Sequence, residues 1–84
     1  MVINELVTQF AQSEPAKLAV ITNERSITYA ELDFAVEGLA CHLVDRGLKR
    51  GYRVAVHWHN SVEYVVLMLG VWRAGMILVP INPG

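Results

Sequence analysis

Eighty-four residues suffice for one small domain or for one part of a larger one, and a chain of that size buries a limited core. A small body has proportionally more surface, yet 54% of the residues are apolar and the mean hydropathy is +0.35, which implies apolar surface meant to be covered by something else. The net charge of −1 and the scatter of the seven basic residues exclude the positive stripe that nucleic-acid binding requires, and the single cysteine excludes an internal disulfide and fits a reducing, cytoplasmic setting.

In residues 1–10 Glu5 is the only charged side chain, and no basic stretch precedes an apolar run, so the opening is not a signal peptide. Its spacing predicts a short helix capped by Asn4, with Leu6, Val7, Phe10 and Ala11 on one side, ending before Pro15. Residues 17–22 (KLAVIT) form a short β-branched run. Polar Asn23, Glu24 and Arg25 turn the chain, and 26–28 pairs back as a hairpin.

Thr28-Tyr29-Ala30-Glu31 is a capping box: the threonine oxygen accepts from the N3 amide, and the glutamate accepts from the cap amide. The helix it opens carries an apolar stripe of Leu32, Val36, Leu39, Leu43 and Val44, with Ala35 and Ala40. Glu31, Asp33, Glu37, Asp45 and Arg46 fall largely off that stripe. Gly47 ends the helix, because glycine takes the left-handed position after the C-cap without strain.

After a turn at Lys49-Arg50-Gly51, residues 53–58 alternate as a strand with Val54, Val56 and Trp58 on one face. Asn60-Ser61-Val62-Glu63 reads as a second cap with glutamate at N3, opening a helix through Trp72 that is apolar almost all round. Such a helix is normally buried on more than one side. Arg73 complements the negative helix end, Gly75 terminates the helix, and 76–79 is an apolar strand stopped at Pro80. From Tyr64 onward only Arg73 is charged, but Gly75, Pro80, Asn82 and Pro83 interrupt the segment, so it is too short to span a bilayer as a helix. The fold class is therefore α/β: helix, β-hairpin, helix, then a right-handed βαβ unit with parallel strands. Two or three strands are too few for a parallel sheet, which needs helices on both faces, so this is a fragment of a larger α/β domain.

Two stretches resemble the early core motifs of the adenylate-forming, or AMP-binding, superfamily, which includes acyl-CoA synthetases, peptide-synthetase adenylation domains and luciferases. Ile27-Thr28-Tyr29-Ala30-Glu31-Leu32 resembles the first motif, and the run from Trp72 to Pro83 (WRAGMILVPINP) resembles the second. Between them Gly47, Gly51, Arg53-Val54-Ala55 and Asn60-Ser61-Val62-Glu63 match the family in order and spacing. Tyr52 stands where the family usually has aspartate, and Asn82, more often aspartate in peptide-synthetase adenylation domains, tilts the resemblance toward acyl-CoA ligases.

The resemblance implies that residues 1–84 are the N-terminal portion of an AMP-binding domain, truncated before the phosphate loop. It further implies a parent that activates a carboxylic or fatty acid with ATP to an acyl-adenylate and then an acyl-CoA, using Mg²⁺ and CoA. The phosphate loop, the ribose-binding aspartate and the catalytic lysine of that family all lie beyond the position equivalent to Gly84. The expectation is a scaffold, inert alone, with no catalytic, cofactor-binding or metal-binding residue, whose apolar surface the remainder of the parent domain covers.

Other chemistry is weaker. His57 and His59 would share a strand face about 7 Å apart, but no third ligand joins them. Cys41 lies deep in the second helix, away from the helix N-terminus or the cation that activates a thiolate, and neighbouring His42 points about 100° away. Tyr29 and Trp72 read as packing residues. The competing functional reading is a free-standing α/β interaction module that binds a partner through its apolar surface.

Overall fold

A computed structural model describes residues 2–57 and 61–81. The chain runs α1 (Val2–Ser13), β1 (Leu18–Ile21), β2 (Ser26–Thr28), α2 (Tyr29–Asp45), β3 (Arg53–Val56), α3 (Val62–Arg73) and β4 (Ile77–Pro80). The expected order of elements holds throughout. Trp58, His59, Asn60, Asn82, Pro83 and Gly84 lie outside the described residues, and with them the face assigned to Trp58, the H-x-H pair and the last residues of the second motif.

Local chemistry fixes the element ends. Thr28 Oγ1 accepts from the Glu31 amide at 3.2 Å, and Glu31 Oε1 accepts from the Thr28 amide at 2.9 Å, so the capping box closes. The Thr28 amide holds the Glu31 carboxyl below its ordinary range. At the other end of α2 the Gly47 amide donates to the Val44 carbonyl and the Leu48 amide to that of Leu43, a Schellman pair made possible by the positive φ of 90° at Gly47. Gly75 ends α3 in the same way, its amide on Trp72 and the Met76 amide on Val71.

Two caps differ from expectation. Asn4 is inside α1, which begins at Val2, and its side chain is buried rather than capping. Ser61, not Asn60, caps α3: its hydroxyl accepts from the Tyr64 amide at 3.3 Å, which puts Glu63 at N2 instead of N3. Glu63 then pairs across to Arg25 at 3.0 Å in the hairpin turn. Its carboxyl lies below the ordinary range, held first by its own backbone amide and then by Ser61. Either residue type can cap, so the sequence left the helix phase open by one position.

β1 and β2 pair antiparallel with an irregularity at Ala19, and β3 and β4 pair parallel, Val54 opposite Leu78 and Val56 opposite Pro80. These are two separate two-stranded sheets. The core lies between the helices and the hairpin: Val7, Ile27, Leu32, Val36, Val62 and Leu69 are buried together, with Val20, Val65 and Trp72 packed against them. Each such aliphatic side chain contributes about 1.5–3 kcal/mol by leaving water. The stripe on α2 is buried at Leu32, Val36 and Ala40, but Val44 stands 56% exposed, and on α1 Leu6 is exposed where Val7 is buried. The expected excess of apolar surface is present, at Ile21, Phe34, Ile77 and Ile81 among others.

α2 and α3 approach closely at Gly70. A Cβ there would lie 2.7 Å from Leu39 Cδ2 and 3.1 Å from Leu39 Cβ. Gly38, on the solvent side of α2, has nothing within 4 Å of the same position. Gly70→Ala therefore overpacks the helix contact and should lower stability by about 1–3 kcal/mol. Gly38→Ala only removes unfolded-state freedom and should raise it by about 0.5–1 kcal/mol. Urea denaturation of the two variants checks the opposite signs.

Candidate functional site

A polar concavity lies where α1 crosses the C-terminal end of α3. It is a solvent-open cleft of about 590 Å³, lined by Glu5, Gln9 and Gln12 of α1, by Arg50 from the turn before β3, and by Trp72 and Arg73. Arg73 sits at its base with a side chain only 15% exposed. Its Nη2 lies 2.9 Å from Asp33 Oδ1, and its Nη1 donates to Glu37 Oε1 at 3.3 Å, one helical turn further along α2. Nε donates to Asn4 Oδ1 at 3.2 Å, and Nη2 also donates to Thr8 Oγ1 at 3.2 Å. Thr8 in turn donates to Asp33 Oδ1 at 3.0 Å, while Asn4 Nδ2 donates to the Leu69 carbonyl at 3.3 Å.

Every nitrogen of the guanidinium thus has a protein acceptor, and one side chain ties three helices together. The planar fork suits this divided geometry, which a point-charge ammonium cannot reproduce. The sequence reading of Arg73 as a helix-end charge is correct in position, but the ion pairs with Asp33 and Glu37 are the larger fact. Asn4, Thr8 and Asp33 were not singled out by sequence as a group. Their only signal was polarity on helix positions that flank an apolar stripe.

The guanidinium at the base of this cleft is already paired with Asp33 and Glu37, and the lining adds one charge of each sign, Glu5 and Arg50. Among the described residues, the glycines with positive φ do not present free amides as a phosphate cradle would, because the amides of Gly47, Gly51 and Gly75 donate to the carbonyls of Val44, Gly75 and Trp72. Gly75 is instead pressed under Arg50, whose Cγ would lie 2.9 Å from an added Cβ.

The remaining candidate residues do not converge. Cys41 is exposed on α2, and its Sγ donates to Glu37 Oε2 at 3.6 Å. That contact, followed by some loss of hydration and the charges of Glu37 and Asp45, pushes the thiol above its ordinary range, the reverse of nucleophile activation. His42 is exposed on α2, and His57 is exposed just past the end of β3. Among the described residues no group of three or more His, Cys, Asp or Glu side chains is placed to hold a metal ion. Tyr29 stacks on Phe10 with ring centroids 5.0 Å apart, and Trp72 packs against the core, so both act in packing. Among the described residues no helix is long and apolar enough to cross a membrane.

The motif register, the two glycine-ended helices and the parallel βαβ unit together define the front of an α/β adenylate-forming domain. A sequence model described as AMP-binding enzyme matches residues 7–84, and the chain belongs to that family. It is similar to a medium/long-chain-fatty-acid–CoA/3-oxocholest-4-en-26-oate–CoA ligase of Mycobacterium tuberculosis, 36% identical over 80 residues that cover 95% of this chain and 15% of the ligase. Surfactin synthase subunit 2 of Bacillus subtilis is 39% identical over 83 residues, 99% of this chain and 2% of that protein. Among solved structures, the N-terminal subdomain of Klebsiella oxytoca NpsA superposes with a TM-score of 0.86 at 31% identity, covering 95% of this chain and 21% of that one. The chain therefore spans a small part of the length of the relatives it matches.

Two measurements bear on this region. Removing the guanidinium in Arg73→Met leaves Asp33 partly buried without its cation. A double-mutant cycle with Asp33→Asn should give a coupling of about 1–2 kcal/mol, whereas additive losses would show that the pair is not coupled. Glu37→Gln removes the negative charge and weakens the acceptor that hold the Cys41 proton. The pH profile of Cys41 alkylation should then shift to lower pH, with faster reaction at neutral pH; an unchanged profile would contradict the assigned cause.

Proposed function

We propose that this chain is the N-terminal scaffold segment of an AMP-dependent acyl-CoA synthetase, the part that orders the first βαβ unit and contributes no catalytic residue. The observation that carries this reading is the accounting of polar groups at the two family motifs. The Thr28–Glu31 pair is consumed in a helix cap. The glycine of the second motif, Gly75, is consumed in a helix end. Arg73, beside it, is consumed in the three-helix junction. Among the described residues, the charged side chains of both motifs, Glu31 and Arg73, are thus engaged in structure. The parent enzyme would use ATP and Mg²⁺, as the family implies, to couple a carboxylic acid to AMP, and CoA to release it as a thioester. A cytoplasmic location belongs to the same proposal. Asn82 and the fatty-acid–CoA ligase relative favour the acyl-CoA class.

The similarity to surfactin synthase supports a second reading, in which the same scaffold opens a peptide-synthetase adenylation domain. Acid-dependent ATP–pyrophosphate exchange by the parent protein separates the two, since fatty acids drive it in one case and amino acids in the other.

The scaffold role is tested by replacing the matching segment of the NpsA N-terminal subdomain with this chain. That subdomain has been solved in complex with 3-hydroxybenzoyl-AMSN. The chimera should bind this compound while the 84-residue chain alone shows neither binding nor ATP–pyrophosphate exchange. Exchange by the 84-residue chain unaided would refute the proposal.

A further inference from the structure

The cations of this chain fall into two groups, according to whether the fold uses them. Lys17, Arg25 and Arg73 are all ion-paired: to Glu14 at 3.4 Å, to Glu63 at 3.0 Å, and to Asp33 and Glu37 at 2.9 and 3.3 Å. The other four, Arg46, Lys49, Arg50 and Arg53, lie within the eight residues that carry the chain from α2 into β3, and all four are exposed. Among the described residues none of their side chains has an ion pair or a hydrogen bond. No acidic residue falls within 46–53, so that segment carries +4 and the rest of the chain sums to −5. Basic residues that look scattered along the sequence are thus sorted by the fold into paired and unpaired charges.

The connection is tied down by its backbone. The Gly51 amide donates to the Gly75 carbonyl at 2.9 Å, and the Tyr52 amide to the Lys49 carbonyl at 3.0 Å. Gly47 and Gly51, with φ of 90° and 89°, bracket Leu48, Lys49 and Arg50 in two turns, and the Arg50 stem lies across Gly75. Like charges are therefore held near one another without counter-charge, an arrangement that self-repulsion opposes and that the fold itself does not use. Asp45 precedes the segment and Glu5 lines the cleft beside Arg50, but neither forms an ion pair with it. Apolar groups stand on both sides of the cations. Val44, in the last turn of α2, is 56% exposed, and Tyr52, just before β3, is 46% exposed.

We propose that the α2–β3 connection, residues 44–53, is a docking surface for an anionic lipid bilayer. Arg46, Lys49, Arg50 and Arg53 lie against the headgroups, and Tyr52 and Val44 enter the interface. Clustered, unpaired cations answer a diffuse negative surface potential without needing a fixed register, and an exposed tyrosine favours the headgroup level. Four cations fall short of the stripe that duplex nucleic acid demands, and a phosphate backbone gives Val44 nothing to contact. The −5 on the rest of the chain is repelled by the same surface, so the charges that bind also orient. The scaffold reading is not needed here, because the four cationic side chains make no bond that holds the fold.

Co-sedimentation of the 84-residue chain with lipid vesicles tests the surface. The chain should bind vesicles of equimolar phosphatidylcholine and phosphatidylglycerol, leave them as salt is raised, and not bind vesicles of phosphatidylcholine alone. Replacing Arg46, Lys49, Arg50 or Arg53 by Gln should weaken partitioning about fivefold for each charge removed. The urea midpoint of the fourfold variant should stay at the unsubstituted value, which separates lost docking from lost folding. Lys17→Gln combined with Arg25→Gln removes two paired cations elsewhere and should leave partitioning unchanged, whereas Lys49→Gln combined with Arg50→Gln should not. Equal loss in the two pairs would reduce the effect to net charge and overturn the assignment. Equal binding to both kinds of vesicle would move the contact to the open apolar sheet face and refute it. Absence of binding to either would refute it as well, as would salt-dependent binding to polyglutamate or duplex DNA in place of the vesicles.

Discussion

A guanidinium that is largely withdrawn from water must find acceptors for all its donors, and at Arg73 that requirement fixes how three helices meet. Its acceptors come from Asn4 and Thr8 on α1 and from Asp33 and Glu37 on α2, while its own backbone closes α3. If any of the three helices shifted by one residue, at least one carboxylate or amide would lose its partner. Burying an ion pair contributes modest net stability, but leaving half of one buried costs several kcal/mol. The junction therefore selects an arrangement more than it strengthens one. The apolar contact supplies the strength: α2 and α3 come together at Gly70 and Leu39, and the core from Val7 to Leu69 fills the space behind them.

Two faces follow from that arrangement. Towards the hairpin the helices bury Ile27, Leu32 and Val36, although Leu6 and Ile21 stay exposed at the margin of that core. Towards β3 and β4 the packing is open. Ile77, Val79 and Ile81 share the sheet face opposite the helix layer and remain exposed, and the leucines of α2 border an open groove. Parallel sheets are ordinarily covered on both faces, because each strand is apolar on both sides. A segment with one buried core and one open sheet is what a scaffold looks like when it is part of something larger. Membership of the AMP-binding family agrees with this, as does the small share of each relative that the chain covers.

The polar residues that a sequence reader would first try as chemistry are instead engaged in architecture. Arg73 is neutralised, Glu31 is tied to a cap, and Cys41 faces a carboxylate that keeps it protonated. The sequence places Cys41 deep in a helix, and the structure puts it there on α2. The sequence could not supply Glu37 as a direct partner, although the i, i+4 spacing that joins them was visible in principle.

What the sequence by itself determined was most of what is set within a few residues. The Thr28–Glu31 box, the helix ends at Gly47 and Gly75, the hairpin turn and the β-branched strands are all local, because cap bonds and steric φ limits act over three to five positions. The family motifs are legible for the same reason. Only the tertiary structure decided the rest: that Asn4 is a buried partner and no cap, that Ser61 sets the phase of α3, and that Val44 lies open on an otherwise apolar stripe. Asn4 and Arg73 are 69 positions apart, and no local pattern announces such a pair. Which polar side chain meets which depends on how helices pack, and packing is a property of the whole chain in three dimensions.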